Sequence, residues 1–309
     1  MASPQLSLTL ITFAAADPDD WSHLVDRAVA ADRAGLDRLA LSDHVAFGSD
    51  LSAYADPAKG GIDGGRQPTG PDGLWLEPLT VVSHLTAVTS RVRFATNILL
   101  AALRRPVVLA KTAATIDVLS GSRLDLGVGV GWQAAEYDAA GLSFASRGAQ
   151  LDHTLAVCQE IWGNDQASFE DERLTFANIH QKPKPVNGGV PVWVSGTVNR
   201  RAMTRLARFG SGWIPWGPDA ADLIASIPRM RAAVAEVGGD ATEIDIVGSL
   251  PTRFDEAGVI DVAATMQSVP ALVDAGVTDF RSNVRFESAG EELTDQIGSL
   301  VTAFRAVSV

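Results

Sequence analysis

Residues 93–132 read RFATNILLAALRRPVVLAKTAATIDVLSGSRLDLGVGVGW, and the fold turns on how this stretch is parsed. The run 93–98 is rich in β-favouring residues and predicts a strand. Pro106 suits the first turn of a helix, and Val107, Ala110, Ala114 and Val118 then recur at helical spacing until Ser120-Gly121 stops the pattern. A second strand is expected over 124–128. Strand, amphipathic helix, strand is the signature of parallel strands joined by a crossover helix.

The rhythm continues in both directions. Toward the N-terminus, a strand is expected over 6–13. Asp17-Pro18 then supplies an N-cap and first-turn proline for a helix with Trp21, Leu24, Val25 and Ala28 on one face, closed by Gly35. A strand over 38–42 and a helix over 78–89 follow. Toward the C-terminus, a helix over 149–162 precedes strands at 192–194, 212–215, 244–250 and 279–283. These alternate with helices over 199–209, 220–237, 261–275 and 291–307. The count is about eight β/α units, and 309 residues divided among eight leaves about 39 each. That fits one α/β domain over 1–309, a (β/α)8 TIM barrel with insertions, better than two open sheets. The large insertions fall at 44–77 and 163–190. The first follows a strand's C-terminal end, the barrel face where active sites are built.

Composition excludes several functions. With 25 Lys and Arg against 37 Asp and Glu, the net charge of −12 argues against a general nucleic-acid or anionic-membrane binder. No apolar run approaches the roughly 18 residues of a membrane span. Acidic Asp17, Asp19 and Asp20 after the apolar start, with no preceding Lys or Arg, speak against a secretory leader. Cys158 is the only cysteine and reads as a packed thiol. A cytoplasmic protein is expected.

Three segments carry candidate chemistry. Ser42-Asp43-His44 ends the second strand, where an imidazole beside a carboxylate suits proton transfer, although such a histidine also serves as a strand cap. His84, His153 and His180 read as structural or solvated, and none of the histidines has zinc spacing, so no metal is expected. The glycines in 127–132 let backbone approach a flat or phosphorylated ligand. Gly129, Gly131 and Ala134 also match a dinucleotide fingerprint, but it begins after four β/α units and lacks the acidic residue expected further on. The run Trp193-Val194-Ser195-Gly196-Thr197 leads into a helix carrying Arg200 and Arg201, where free amides could hold phosphate or simply form a capped βα turn. Trp213 and Trp216 could wall a planar ligand.

Together, Ser42-Asp43-His44, the 93–106 stretch, 126–132 with Glu136, and 191–197 with Gly212-Trp213 resemble the bacterial luciferase-like (LLM class) flavin and deazaflavin oxidoreductases, in particular the branch that uses coenzyme F420. The likeness spans nearly the whole chain and is strongest through about residue 217. It implies that Asp43 and His44 lie beside the cofactor ring, with His44 exchanging a proton with substrate or orienting it. It implies a bulge at Asn97 and Ile98, often built with a cis peptide between them, that bends the ring and braces one face. Gly129, Gly131 and Trp132 would border the ring and its side chain, and Ser195, Gly196 and Thr197 with Arg200 would hold its phosphate. Arg104, Arg105, Lys182, Lys184 and Arg201 are further candidate cations for the anionic tail.

In the family's sugar-phosphate dehydrogenases a glutamate follows the glycine pair, and here Trp132 stands in its place. With Trp216, it implies a drier pocket and a less polar small-molecule substrate: a ketone, alcohol or activated alkene. The alternatives are a reduced-FMN monooxygenase on the same scaffold and a non-catalytic flavin-binding protein. The resemblance also implies a homodimer.

Overall fold

The computed structural model describes residues 3–308. Eight parallel strands close into a barrel in chain order: β1 (Gln5–Leu10), β2 (Arg38–Leu41), β3 (Arg93–Thr96), β4 (Leu124–Val128), β5 (Val192–Gly196), β6 (Gly212–Pro215), β7 (Asp245–Ser249) and β8 (Asp279–Ser282). Closure is made by β1, which pairs Ser7 with Arg38 on one side and Gln5 with Asp279 on the other. Most strand positions are buried, as they are when helices cover the outside and packed side chains fill the inside of a barrel.

Helix ends follow local chemistry. Gly35 and Gly121 close their helices in the left-handed conformation that a β-carbon disfavours, with φ of 76° and 67°. Pro106 opens the helix Pro106–Ser120, and Asn199 caps Arg200–Phe209 by accepting from the Ala202 N–H. Cys158 is buried, and burial pushes its thiol up to about 12, in keeping with a packed residue.

Several sequence expectations need correction. The first strand stops at Leu10. Phe13–Ala14 instead pairs antiparallel with Leu74–Trp75, which draws the end of the first insertion back toward the barrel mouth. The first helix begins at Ser22, because the Asp17 and Asp20 carboxylates bind the backbone of Asp19 and Ser22 in local turns instead of capping a helix at Pro18. The helix expected over 220–237 breaks at Asp222, whose side chain caps Leu223–Glu236. That over 261–275 breaks at Gln267 and Ser268, because Pro270 has no N–H to give the Met266 carbonyl and instead sits in the first turn of a new helix, Val269–Ala275. The second insertion holds an antiparallel hairpin, Ala167–Glu170 with Thr175–Ile179, which packs on the helix Arg147–Gly163. A short helix, Ala134–Ala139, follows β4.

The strand starts form a sealed ionic floor. Arg38 pairs with Asp125 at 2.9 Å and also with Asp279. Arg93 reaches the other Asp125 oxygen at 2.6 Å, and Arg281 reaches Asp279 at 3.2 Å. Among the described residues, no helix is long and apolar enough to cross a membrane.

Candidate active site

At the opposite end, where the strands finish, a cavity of about 380 Å³ opens in the barrel mouth. Its wall takes residues from the ends of β1, β2, β3, β4, β6 and β8 and from the 44–77 insertion. Phe13, Tyr54, Trp75, Trp132 and Trp216 give it aromatic surface, interleaved with polar Thr9, Ser42, Gln67, Asn97 and Asn283. Such a site favours flat or apolar molecules, with a few polar groups to orient them.

His44 stands among these rings. Its imidazole centre lies 4.4 Å from Phe47, 4.7 Å from Trp75 and 5.8 Å from Trp132. Nδ1 is 3.2 Å from Glu136 Oε2, and Nε2 is 3.4 Å from the side-chain nitrogen of Gln67. The other Glu136 oxygen accepts the backbone N–H groups of Val45 at 2.7 Å and Ala46 at 3.3 Å. Gln133 accepts from the N–H of Gly48. The loop after His44 is therefore gripped by the start of the helix Ala134–Ala139. That helix is itself tied to the β4 exit, since the Tyr137 hydroxyl donates to the Val130 carbonyl at 2.7 Å. Burial raises the Tyr137 phenol well above its usual range, so it stays a neutral donor.

Asp43 also borders the cavity, but its carboxylate is already engaged. It accepts from the Leu100 N–H at 2.8 Å and from Arg104 at 2.6 and 3.1 Å, and its side chain is fully buried. Burial alone would lower the Arg104 guanidinium, but Asp43 and Glu77 hold it above its ordinary value. The pair fixes the end of β2 to the segment after β3. The carboxylate that faces the imidazole of His44 is Glu136, not its sequence neighbour.

The Asn97–Ile98 peptide is cis, and both residues line the cavity. Ile98 lies against Gly129, where an added β-carbon would come within 2.8 Å of the isoleucine side chain. Gly131 adopts a φ of 69° on the cavity wall, and a β-carbon there would meet Leu100 at 2.7 Å. A β-carbon at either position would make the neighbouring side chain shift, and at Gly131 the left-handed conformation itself favours glycine.

Of the residues singled out in the sequence, Asp43, His44, Asn97, Ile98, Gly131, Trp132 and Trp216 share this one cavity. Gly129 lies beneath Ile98. Ser195, Gly196 and Thr197 sit half-buried at the end of β5 outside the cavity wall, and Arg200 is exposed on the helix that follows. In that turn the Val198 N–H is already taken by buried Asp219 at 2.7 Å, which narrows the set of free amides. Trp216 donates to the Gly61 carbonyl at 3.1 Å and so ties the first insertion to β6. The other proposed cations divide. Arg104 is spent on Asp43 and Glu77, and Lys184 on the carbonyls of Ile161 and Asn164. Lys182 is spent on Asp165 at 2.5 Å, while Arg105 and Arg201 are exposed. Sequence reading assigned no part to Gln67, Tyr54, Trp75, Asn283 or Arg285, all on the cavity wall, nor any role to Glu136. Tyr54 and Trp75 are the one Tyr and the one Trp of the first insertion, 21 residues apart, and gave little signal in the sequence.

A sequence profile described as luciferase-like monooxygenase matches residues 6–258. An F420-dependent glucose-6-phosphate dehydrogenase of Segniliparus rotundus is 29% identical over 252 residues, 78% of this chain and 68% of the relative. An F420-dependent secondary alcohol dehydrogenase, solved in complex with an F420-acetone adduct, superposes with a TM-score of 0.75 at 15% identity, covering 98% of this chain and 100% of that one. The oxygenating constituent of 3,6-diketocamphane monooxygenase from Pseudomonas putida, a type II Baeyer-Villiger enzyme solved with FMN, gives 0.69 at 14% identity, covering 97% of each. At such identities the structural likeness is one of fold.

Proposed function

This chain belongs to the luciferase-like monooxygenase family, and from that premise we propose that it is a coenzyme F420-dependent oxidoreductase acting on a small, weakly polar ketone, alcohol or activated alkene. The observation that carries the reading is the placement of His44, held with one ring nitrogen on a buried carboxylate and the other toward an aromatic cavity at the barrel mouth. The name of the Segniliparus rotundus relative favours the deazaflavin over FMN.

The wall fits a flat heterocycle. Asn97, Ile98, Leu100 and Gly131 offer a shelf, and the Trp132 indole N–H is a buried donor with no partner among the described residues. The shelf would brace one ring face, and Ser195, Gly196, Thr197 and Arg200 would hold the phosphate arm beyond the cavity. When bound, the deazaflavin supplies a ring carbon that carries hydride. His44 exchanges the proton at Nε2 on the substrate side, and the tryptophans exclude water and orient the substrate. Arg285 is the only Lys or Arg on the wall among the described residues, which suits a sugar phosphate poorly and a neutral carbonyl or alcohol well.

The test is a pair of titrations of the purified protein, one with coenzyme F420 and one with FMN, followed by a substrate screen with the tighter ligand. Saturable F420 binding with turnover of ketones or alcohols and no oxygen uptake is expected. Tighter FMN binding with oxygen consumption would instead make the protein a monooxygenase.

A further inference from the structure

We infer that Glu136 is a positioning residue that dictates which nitrogen of His44 faces the cavity. For its consequence in turnover the inference rests on the proton-exchange role proposed above; its hydrogen-bond logic does not.

Glu136 lies 92 residues from His44 in sequence, and its side chain is buried with 1% of its surface exposed. The backbone N–H groups of Val45 and Ala46 can only donate, so Oε1 is obliged to accept. A carboxylate accepts at its second oxygen as well, so the contact between Oε2 and Nδ1 requires the proton on His44 Nδ1. In the neutral ring this leaves the Nε2 lone pair directed at Gln67 and the cavity. The Gln67 side-chain nitrogen, 3.4 Å away, is a donor suited to that lone pair. The other charged or titratable groups around the ring do not compete for Nδ1. Asp43 is saturated by Arg104 and Leu100, while Arg285 and Tyr54 belong to the cavity wall. The imidazole therefore stands ready to accept a proton from a bound hydroxyl or to return one to a carbonyl oxygen.

A residue that only staples the 44–48 loop would behave differently on substitution. In Glu136→Gln the two backbone donors still demand an oxygen at the first position, which leaves the amide NH2 facing Nδ1. That group donates, so the ring must present its lone pair at Nδ1 and carry its proton on Nε2. The loop stays gripped while the tautomer reverses.

Nitrogen NMR of histidine-labelled apoprotein, recorded at a pH where the ring is neutral and assigned with His44→Asn, reads this directly. The wild type is expected to show a protonated Nδ1 and an unprotonated Nε2 at His44, and Glu136→Gln the reverse. In the loaded enzyme, kcat should fall about a hundredfold in Glu136→Gln, with KM for substrate within about twofold of wild type. A His44 ring unchanged by the substitution overturns the inference. A wild-type ring protonated on Nε2 overturns it alone, even if the variant fails to fold. Failure of the wild type to bind coenzyme F420 would sink the proposed function while leaving the NMR result standing.

Discussion

The two ends of the barrel use charge in opposite ways. At the floor, Arg38, Arg93, Asp125 and Asp279 answer one another within hydrogen-bond distance, and Arg281, whose other two guanidinium nitrogens are buried without a partner among the described residues, joins them through Asp279. At the mouth, Asp43 is paired with Arg104 in the same manner, but Glu136 is joined to an imidazole whose second nitrogen remains turned to an aromatic cavity. Both ends bury ionisable groups; the mouth turns one of them, His44, toward a cavity, and Arg281 at the floor lies outside that cavity's wall. Burial of charge therefore does not by itself mark a site, and the telling feature is a titratable group with one side satisfied and the other side open.

The largest expected effect falls on the floor. Asp125→Ala removes the partner of two arginines and should cost about 3–5 kcal/mol in urea unfolding, because the guanidinium groups stay where no other carboxylate meets them both. Cofactor affinity of the folded fraction should be unchanged. A loss of affinity as large as the loss of stability would erase the distinction between the two ends.

At the mouth the pattern should invert. His44→Ala is expected to lower turnover about a hundredfold or more while unfolding moves by about 1 kcal/mol at most and cofactor still binds. Turnover near wild type would remove His44 from the chemistry. Trp132→Phe keeps an aromatic wall but gives up the indole N–H and part of its area. Substrate kcat/KM should then fall about tenfold, and unchanged kinetics on every substrate would show that Trp132 does not shape the pocket.

The smallest effect falls on Asp32, in the helix Ser22–Ala34 outside the ionic floor. Burial would raise the Asp32 carboxyl, but hydrogen bonds from Val92, Arg91 and Ser90 hold it below its ordinary value. Its contribution is then present above the unfolded value of about 3.9 and is lost as pH falls through the lower folded value. Asp32→Asn should cost about 1–2 kcal/mol at neutral pH. That cost should shrink toward zero in unfolding curves taken at progressively lower pH, and one independent of pH would contradict the assignment.

Much of this architecture was legible from local pattern. Helix stops at Gly35 and Gly121 and the start at Pro106 come from residues whose conformational limits act within one turn. His44, Gly131 and Trp132 were legible because barrel topology sends successive strand ends to one face, whereas Asn97 and Ile98 were marked by the family resemblance; all five line the cavity. What was missed depends on partners remote in sequence. Nothing near Asp43 reveals that Arg104, 61 residues on, will claim it, nor does anything near His44 name Glu136. The 167–179 hairpin was missed for another reason, since its strands are short and largely exposed and carry little hydrophobic period.

The central claim is that the mouth cavity receives the deazaflavin ring between the Asn97–Ile98 shelf and His44. A crystal structure of the protein with coenzyme F420 tests it most directly. The ring should lie against Ile98 and Gly131, with the His44 Nε2 on its open side and the phosphate near Ser195 to Thr197. Ring density anywhere else on the molecule, or a cavity left empty at saturating cofactor, would contradict the account.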